Sequence, residues 1–443
     1  MLDQGTVVAL ATPEGKGGLA VVRLSGSEAL ATARRLIRDG SLDDPVDSHR
    51  ARLTTLFDAD GQIMDEALVL PLVAPASYTG EDTVEFFCHG GVMPARLVMA
   101  ACRAAGAVAA GAGEFTRRAF LNGRLSLAQA EAVADLIESE HKVGARAALA
   151  QLQGGLNREV AAIEDPLRAL LANLEGSLEF GDDDDPGPGP DLIQRELLKA
   201  CERIDGLLAL APAGRHLREG VQVVLAGPPN VGKSSLFNAL LAHDRALVDP
   251  EAGTTRDVVT ERMEIDGLLF VLHDTAGLRD LPGVVEAKGI ALTRDMVSRA
   301  DIVLDLRPAG ADESTDDLPN VPPGCTVLPV GTKGDLASGS QGLVTSSVTG
   351  RGVDELRQTL LRLARQGGVP EAVAHGVVLN QRHLDRLNTC REALERMAKD
   401  TSASVDVQAT MLAAALQELG AISGRVFTEQ LLGDIFSRFC VGK

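Results

Sequence analysis

The chain has 443 residues, more than one hydrophobic core usually fills, so two or three domains are expected. Its formal net charge of −19 excludes a protein built to coat nucleic acid unaided, because such binding rests on Lys and Arg neutralising phosphates. Hydrophobic residues at 45% exclude wholesale disorder, and the lack of Trp with a single Tyr argues against stacking platforms for single strands. The six cysteines, Cys88, Cys102, Cys201, Cys325, Cys390 and Cys440, form no C-x-x-C pair. Neither a disulfide scaffold nor a zinc site is expected, and the pattern fits a reducing compartment. No basic segment followed by a long apolar run opens the chain, and no stretch of 18 apolar residues occurs. A soluble, cytoplasmic protein with no membrane partner is the expectation.

Residues 1–118 mix short strand-like runs with turns. TVVALAT (Thr6–Thr12) and LAVVRLSG (Leu19–Gly26) bracket the Gly-rich turn PEGKGG. ALVLPLVAP and DTVEFFCHGG read as further strands, and MPARLVMAACRAAG as a helix ended by Gly106, which makes an α+β module. From Ser126 the period becomes helical. Ser126 and Gln129 have capping-box spacing, and Leu127, Ala130, Ala134, Ile137, Ala145, Ala148 and Leu152 share a helical stripe. A second helix is expected over Arg158–Leu178, then a solvated loop at GDDDDPGPGP, residues 181–190. A third runs from Asp191 to about Leu210, with a break at Pro212 and Gly214. VQVVLAG, LLFVLHD, DIVLDL and CTVLPVG are short apolar runs of the kind buried in a parallel sheet, and after about residue 371 the pattern is helical again. The expected domains are 1–118, 119–215, 216–371 and 372–443, the α/β segment being inserted into a helical domain made of two chain segments.

Gly227-Pro-Pro-Asn-Val-Gly232-Lys233-Ser234 matches G-x-x-x-x-G-K-[ST] between a strand and a helix-like run, the context this motif needs. Glycine lets backbone N–H groups curl around phosphate oxygens, and the helix N-terminus adds its positive end. Lys233 can reach the β- and γ-phosphates, and the Ser234 hydroxyl can ligate Mg²⁺. Asp274-Thr-Ala-Gly277 follows a strand, where Asp274 can hold Mg²⁺ through water and the Gly277 amide can sense the γ-phosphate. Gly253-Thr-Thr-Arg-Asp257 lies between them, and Thr255 can complete the Mg²⁺ shell. This order and spacing specify a GTPase of the translation-factor-like class. Base recognition departs from Asn-Lys-x-Asp, since the stretch is Thr332-Lys-Gly-Asp335. Asp335 can accept from guanine N1 and N2, and the Lys333 stem can pack on the base, but Thr332 has no amide for the N7 edge. Ser346-Ser-Val-Thr-Gly350 fits the second base-contacting loop. GTP is therefore favoured over ATP. Leu278 stands where many small GTPases have the Gln that orients the attacking water, so another group must serve.

ATPEGKGGLAVVRLSG, SYTGED, GEFTRRAFLNGRLSLAQAEAVADLI, the phosphate loop with GTTRD and DTAGLR, and the terminal FCVGK resemble the MnmE (TrmE) family of tRNA-modification GTPases over nearly the whole chain. The resemblance implies an N-terminal folate-binding domain that dimerises, a helical domain in two segments and an inserted GTPase domain with a mostly parallel sheet. It implies a K⁺-stimulated GTPase that forms a homodimer and works with the FAD-carrying flavoprotein MnmG (GidA). Together they add an aminomethyl or carboxymethylaminomethyl group to C5 of wobble uridine 34 of certain tRNAs. The one-carbon unit comes from a 5-formyl or methylene tetrahydrofolate. With a chain this acidic, most tRNA phosphate contacts are expected from the partner.

Carried onto matching positions, the resemblance places GTP contacts at Asn230, Val231, Gly232, Lys233, Ser234 and Ser235. Others fall at Asp249, Glu251, Ala252, Gly253, Thr254, Thr255, Asp274, Thr275, Ala276 and Gly277. On the base side it places Thr332, Lys333, Asp335, Ser346 and Ser347. Ser234 and Thr255 would hold Mg²⁺. Asn230, Thr254 and the carbonyls of Asp249 and Glu251 would hold K⁺, close enough to the phosphates to offset transition-state charge as an arginine finger does. Pro250 and Glu251 depart from the commoner family wording there. Glu286 matches the catalytic Glu and would orient the attacking water in place of Leu278. Arg23, Glu85, Arg124 and Lys443 fall at folate-binding positions. Cys440 lies in the terminal motif considered for modification chemistry. The tail around it reads as a helix with Thr428 as N-cap, Phe427 and Leu432 as a staple, and Leu431, Ile435 and Phe439 as a buried stripe. His89, at a strand end before Gly90 and Gly91, reads as a structural residue, the alternative being acid–base work with Glu85 on the same strand-like run. The alternative function is a regulatory P-loop switch in ribosome assembly without folate chemistry, which has no reason to carry the N-terminal 118 residues or FCVGK.

Overall fold

In the computed structural model the structure describes residues 5–40, 42–179, 187–242, 259–274, 295–310, 321–336, 342–400 and 402–443. The chain divides into two compact units, Met1–Ala134 with Gly420–Lys443, and Asp135–Leu419.

The first unit is built on a six-stranded sheet of order β3-β4-β5-β2-β1-β6. Its strands are β1 (Val7–Leu10), β2 (Leu19–Ser25), β3 (Arg52–Phe57), β4 (Ile63–Leu72), β5 (Thr83–His89) and β6 (Val108–Ala109). All neighbours are antiparallel except β1 and β6. Side chains alternate across a strand. Ala20, Val22 and Leu24 of β2 and Val84, Phe86 and Cys88 of β5 therefore share one core with Ala29 and Ala33 of α1 (Ala29–Arg35) and Ala95 and Val98 of α2 (Val92–Ala104). Arg23 and Glu85, of opposite parity, project to the other face, where Val7, Ala9 and Phe115 of α3 (Glu114–Leu121) form a smaller cluster. The sequence reading missed β3, β6, α1 and α3, which are short or broken by charge.

The capping box is formed: Gln129 N–H donates to Ser126 Oγ at 3.1 Å, and Ser126 N–H to Gln129 Oε1 at 2.9 Å, opening α4 (Leu127–Glu138). Ser126→Ala leaves one orphan helix donor and is expected to destabilise its unit by about 1 kcal/mol in urea unfolding.

The last 24 residues, which begin inside the helix Val405–Ser423, group with this first unit. Their helix Glu429–Phe436 is capped by Thr428, whose Oγ1 accepts from Leu431 N–H at 3.2 Å. Its buried side chains are Leu432 and Phe436, followed by Phe439, so the stripe lies one position away from the expected Leu431 and Ile435, which are half-buried. Phe427 packs edge-on against Phe120, with ring centroids 5.2 Å apart.

The second unit carries a five-stranded sheet of order β11-β10-β7-β9-β8, from β7 (Val221–Ala226), β8 (Val259–Ile265), β9 (Leu268–Asp274), β10 (Ile302–Pro308) and β11 (Thr326–Thr332). It is parallel except for β8, an antiparallel edge strand whose polar VTERMEI pattern hid it from a search for buried runs. The described helices that follow α4 in the chain are α5 (Lys142–Leu152), α6 (Gly155–Glu179), α7 (Pro190–Leu208), α8 (Ala211–Glu219) and α9 (Lys233–Leu241), then Val353–Gln366, Val369–His375, Gln381–Lys399 and Val405–Ser423. One core runs from Val223, Phe270 and Leu304 of the sheet into Ala147 of α5, Leu217 of α8 and Ala372, which joins the α/β part to its flanking helices. His141 caps α5 by accepting from Gly144 N–H at 3.1 Å, and its Nε2 meets Leu217 O at 3.1 Å. Pro212 and Gly214 do not break the chain as expected. Pro212 sits in the first turn of α8, where a missing N–H costs nothing. Most of the 181–190 loop, residues 181–186, lies outside the described residues.

Candidate functional site

The chain passes from β7 to β9 on one side and to β10 on the other, so the loop after β7 opens at the point where strand order reverses, a crevice at the carboxyl ends of the strands. Gly227 begins that loop at φ 144°, and a Cβ there would lie 2.4 Å from Leu306 O. Only glycine lets the loop run this close to β10. Asn230 (φ 59°) and Gly232 (φ 106°) turn the chain back through left-handed conformations and leave the amides of Gly232 onward at the N-terminus of α9. Lys233 is buried, and its Nζ donates to Gly227 O at 2.9 Å and to Pro228 O at 2.8 Å, spanning the loop it starts from. Ser234 Oγ donates to Asp274 Oδ2 at 2.7 Å. A hydroxyl and a carboxylate on adjacent elements form a pair of hard oxygen ligands of the kind Mg²⁺ takes.

The base side is built on the end of β11. Thr332 is buried and its Oγ1 donates toward Val231 O at 2.6 Å and Arg307 O at 3.1 Å. Lys333 (φ 56°) turns the chain outward. Asp335 Oδ1 accepts from Ser346 Oγ at 2.7 Å, and this bond, with one from its own backbone, holds the carboxyl below its ordinary range and therefore ionised. Ser346 is anchored in turn, its N–H donating to Arg351 O at 2.9 Å, and Thr345 N–H donates to Gly331 O at 2.7 Å. Ser347 is exposed beside them. Asp249, Glu251, Ala252, Gly253, Thr254, Thr255, Thr275, Ala276, Gly277, Leu278 and Glu286 lie outside the described residues.

The first unit holds a second cluster. Arg23 Nε donates to Glu85 Oε1 at 2.7 Å, and Nη1 to Gly442 O at 3.2 Å. The guanidinium carbon lies 5.8 Å from the Tyr78 ring centroid and 5.5 Å from that of Phe115. Phe115 N–H donates to Lys443 O at 3.1 Å, so the terminal residue is tied to α3. Gly442 (φ 98°) runs so close to β1 that a Cβ would lie 2.3 Å from Leu10 O. Arg124 is exposed and its stem covers Gly80 in the loop that carries Tyr78. Three of the four expected folate positions, Arg23, Glu85 and Lys443, thus converge around one face of the sheet, and Arg124 borders the same loop. A cavity of about 570 Å³ lies elsewhere, lined by Leu10, Ala20 and Met99 between residues 13–17 and α2. Neither Arg23 nor Glu85 lines it.

The sequence profile of the TrmE N-terminus, a GTP-binding protein, matches residues 6–124, and that of the MnmE helical domain matches residues 127–440. The chain is similar to the tRNA modification GTPase MnmE of Myxococcus xanthus, at 44% identity over 99% of both chains. It is similar also to those of Akkermansia muciniphila, at 40% over 99% of both, and Dichelobacter nodosus, at 39% over the full length of both. The chain belongs to the MnmE family of tRNA-modification GTPases. It is a GTP-binding GTP hydrolase of tRNA modification. No helix among the described residues is long and apolar enough to cross a membrane.

Within this MnmE-family chain the cysteines differ sharply. Burial pushes the thiols of Cys88, Cys102 and Cys390 up to about 12, which makes them poor nucleophiles. Cys440 is exposed, and its carbonyl accepts from Gly113 N–H. His89 closes β5, at the strand end where a structural residue was expected. Its ring is largely exposed, and the Asp65 carboxylate grips it through Nδ1 at 2.6 Å and its backbone N–H at 2.9 Å. Sequence reasoning also missed Tyr78, Phe115 and Arg118. Arg118 is 2% exposed, and it joins Glu114, Glu81 and Gly5 O, fixing α3 beneath Arg23's aromatic neighbours.

Proposed function

We propose that this chain is a K⁺-stimulated, cytoplasmic, homodimeric GTPase that couples GTP hydrolysis to C5 modification of wobble uridine in tRNA, with a flavoprotein of the MnmG type and a tetrahydrofolate one-carbon donor. The observation that carries the reading is that one family chain holds both a phosphate loop with its Ser234–Asp274 pair and a separate Arg23–Glu85 cluster closed by its own C-terminus.

In the nucleotide site, Lys233 and the amides at the start of α9 bind and orient the phosphates. Ser234, with Asp274 behind it, would hold Mg²⁺, which supplies charge neutralisation between the β- and γ-phosphates when bound. Asp335 accepts from the guanine edge. Glu286 orients water for in-line attack at the γ-phosphorus, forming the new P–O bond as the bond to the β-phosphate oxygen breaks. Asn230, Thr254 and the carbonyls of Asp249 and Glu251 would hold K⁺, which supplies positive charge beside the phosphates when bound.

In the first unit, Glu85 suits the amide-like edge of a pterin. Arg124 and Lys443 suit the carboxylates of a folate tail, and Cys440 stands exposed in the same terminal segment.

The test is the GTP hydrolysis rate in K⁺ and in Na⁺, wild type beside Glu286→Ala. A rate raised at least tenfold by K⁺ and lost in the variant is the expected result. Equal rates in both salts, or an unaffected variant, would remove the cation-dependent mechanism. Titration with 5-formyltetrahydrofolate tests the first unit separately.

A further inference from the structure

Thr332 occupies the position where a guanine-specific loop usually has an amide, and its surroundings give it another task. It is 4% exposed, so water does not compete for its hydroxyl. A hydroxyl carries one proton. That proton is directed to Val231 O at 2.6 Å, within the phosphate loop, with Arg307 O at 3.1 Å as the second acceptor. The Thr332 carbonyl accepts from Ala309 N–H at 2.9 Å, so the residue is stitched to β10 from both its side chain and its backbone. Immediately after it the chain turns at Lys333 and presents Asp335 to solvent, steadied by Ser346. Immediately after Val231 comes Gly232-Lys233, the phosphate-binding end of the other loop.

We propose that Thr332 is a positioning residue: its hydroxyl clamps the phosphate loop to the base-side strand, sets the spacing between Lys233 and Asp335, and leaves the purine N7 edge unread. Its only side-chain donor is engaged inside the protein and leaves none to offer the base. Guanine selectivity then rests on Asp335 and the N1 and N2 groups it faces. The inference rests on the nucleotide reading of the phosphate loop. A failure to bind any guanine nucleotide would sink that reading, whereas the comparisons below address Thr332 alone.

The experiment measures affinities of the full chain for GTP, 7-deaza-GTP and inosine triphosphate, in wild type, Thr332→Val and Thr332→Ser. Wild type is expected to bind GTP and 7-deaza-GTP within about twofold and to bind inosine triphosphate about tenfold more weakly, because N2 is missing. Thr332→Val leaves the buried Val231 carbonyl short of a donor and is expected to weaken GTP and inosine triphosphate by the same factor, about tenfold, with their ratio unchanged. Thr332→Ser keeps the hydroxyl and restores the wild-type values.

A marked preference of wild type for GTP over 7-deaza-GTP would overturn the proposal, since it would mean that N7 is read. A Thr332→Val variant with wild-type affinity, or a Thr332→Ser variant as weak as the valine one, would overturn the clamp. If the valine variant does not fold, the wild-type comparison with 7-deaza-GTP and the serine variant still decide the matter.

Discussion

Lys233→Ala is expected to lower GTP turnover at saturating nucleotide by about 10²–10³, the usual loss when a fixed cation facing developing phosphoryl charge is removed. Two effects combine. The ammonium is held at the loop by Gly227 O and Pro228 O, beside the N-terminus of α9. The same two bonds close the loop, so the alanine variant also frees the carbonyls that shape it. Affinity falls together with turnover, and single-turnover rates separate the two. Lys233→Arg does not rescue the loss, because a planar fork cannot replace a compact ammonium at a site enclosed by two carbonyls. Lys233 sits in the first turn of α9, and the core beneath it, Leu236, Phe237 and Leu240, does not depend on its charge, so circular dichroism should stay that of the wild type. A variant that turns over GTP within tenfold of wild type would show that the phosphate charge is met elsewhere.

The nucleotide site was legible because its chemistry is local. Six residues between a strand and a helix carry the phosphate loop, and its glycines are dictated by backbone geometry that any sequence reader can invoke. Ser234 meeting Asp274 was also foreseeable, since both were read as Mg²⁺-site residues, one opening α9 and the other closing β9. Thr332 was legible as a departure but not as a clamp, because Val231 and Arg307 lie 101 and 25 residues before it in the chain.

The Arg23–Glu85 pair gives the clearest contrast. The two residues are 62 apart, and spacing alone would leave them as surface charges. What unites them is antiparallel register, Arg23 opposite Glu85 on neighbouring strands, together with a tail 419 residues away from Arg23. The same long-range packing moves Gly420–Lys443 into the first unit. Helical periodicity shows that this segment has an apolar stripe but not which core takes it. Arg118 teaches the converse: a buried arginine breaks the pattern rule, and besides Glu114 on its own helix its partners Glu81, Gly5 O and Ser25 O lie far away in the chain.

Arg23→Ala is the substitution expected to act most strongly on the first unit. The Arg23 and Glu85 side chains are 16% and 14% exposed, so the pair is largely shielded from solvent. Removing the arginine leaves the Glu85 carboxylate without its partner in a site walled by Tyr78 and Phe115, and it frees Gly442 O. Unpairing a fully buried ion costs about 3–5 kcal/mol, and the residual exposure reduces this to about 2 kcal/mol. Thermal melting should register a fall of about 5 °C. The more specific consequence is at the C-terminus. Gly113 N–H and Phe115 N–H are bonded to the carbonyls of Cys440 and Lys443, so their hydrogen exchange should accelerate as the tail loosens, while amides in the β2–β5 ladder change little. Glu85→Gln separates structure from binding, because an amide oxygen can still accept from Arg23 Nε–H. In that variant the tail amides stay protected, and only 5-formyltetrahydrofolate affinity is expected to fall. Fast exchange in both variants would mean that the carboxylate's charge, rather than the arginine's reach to Gly442, holds the terminus in place.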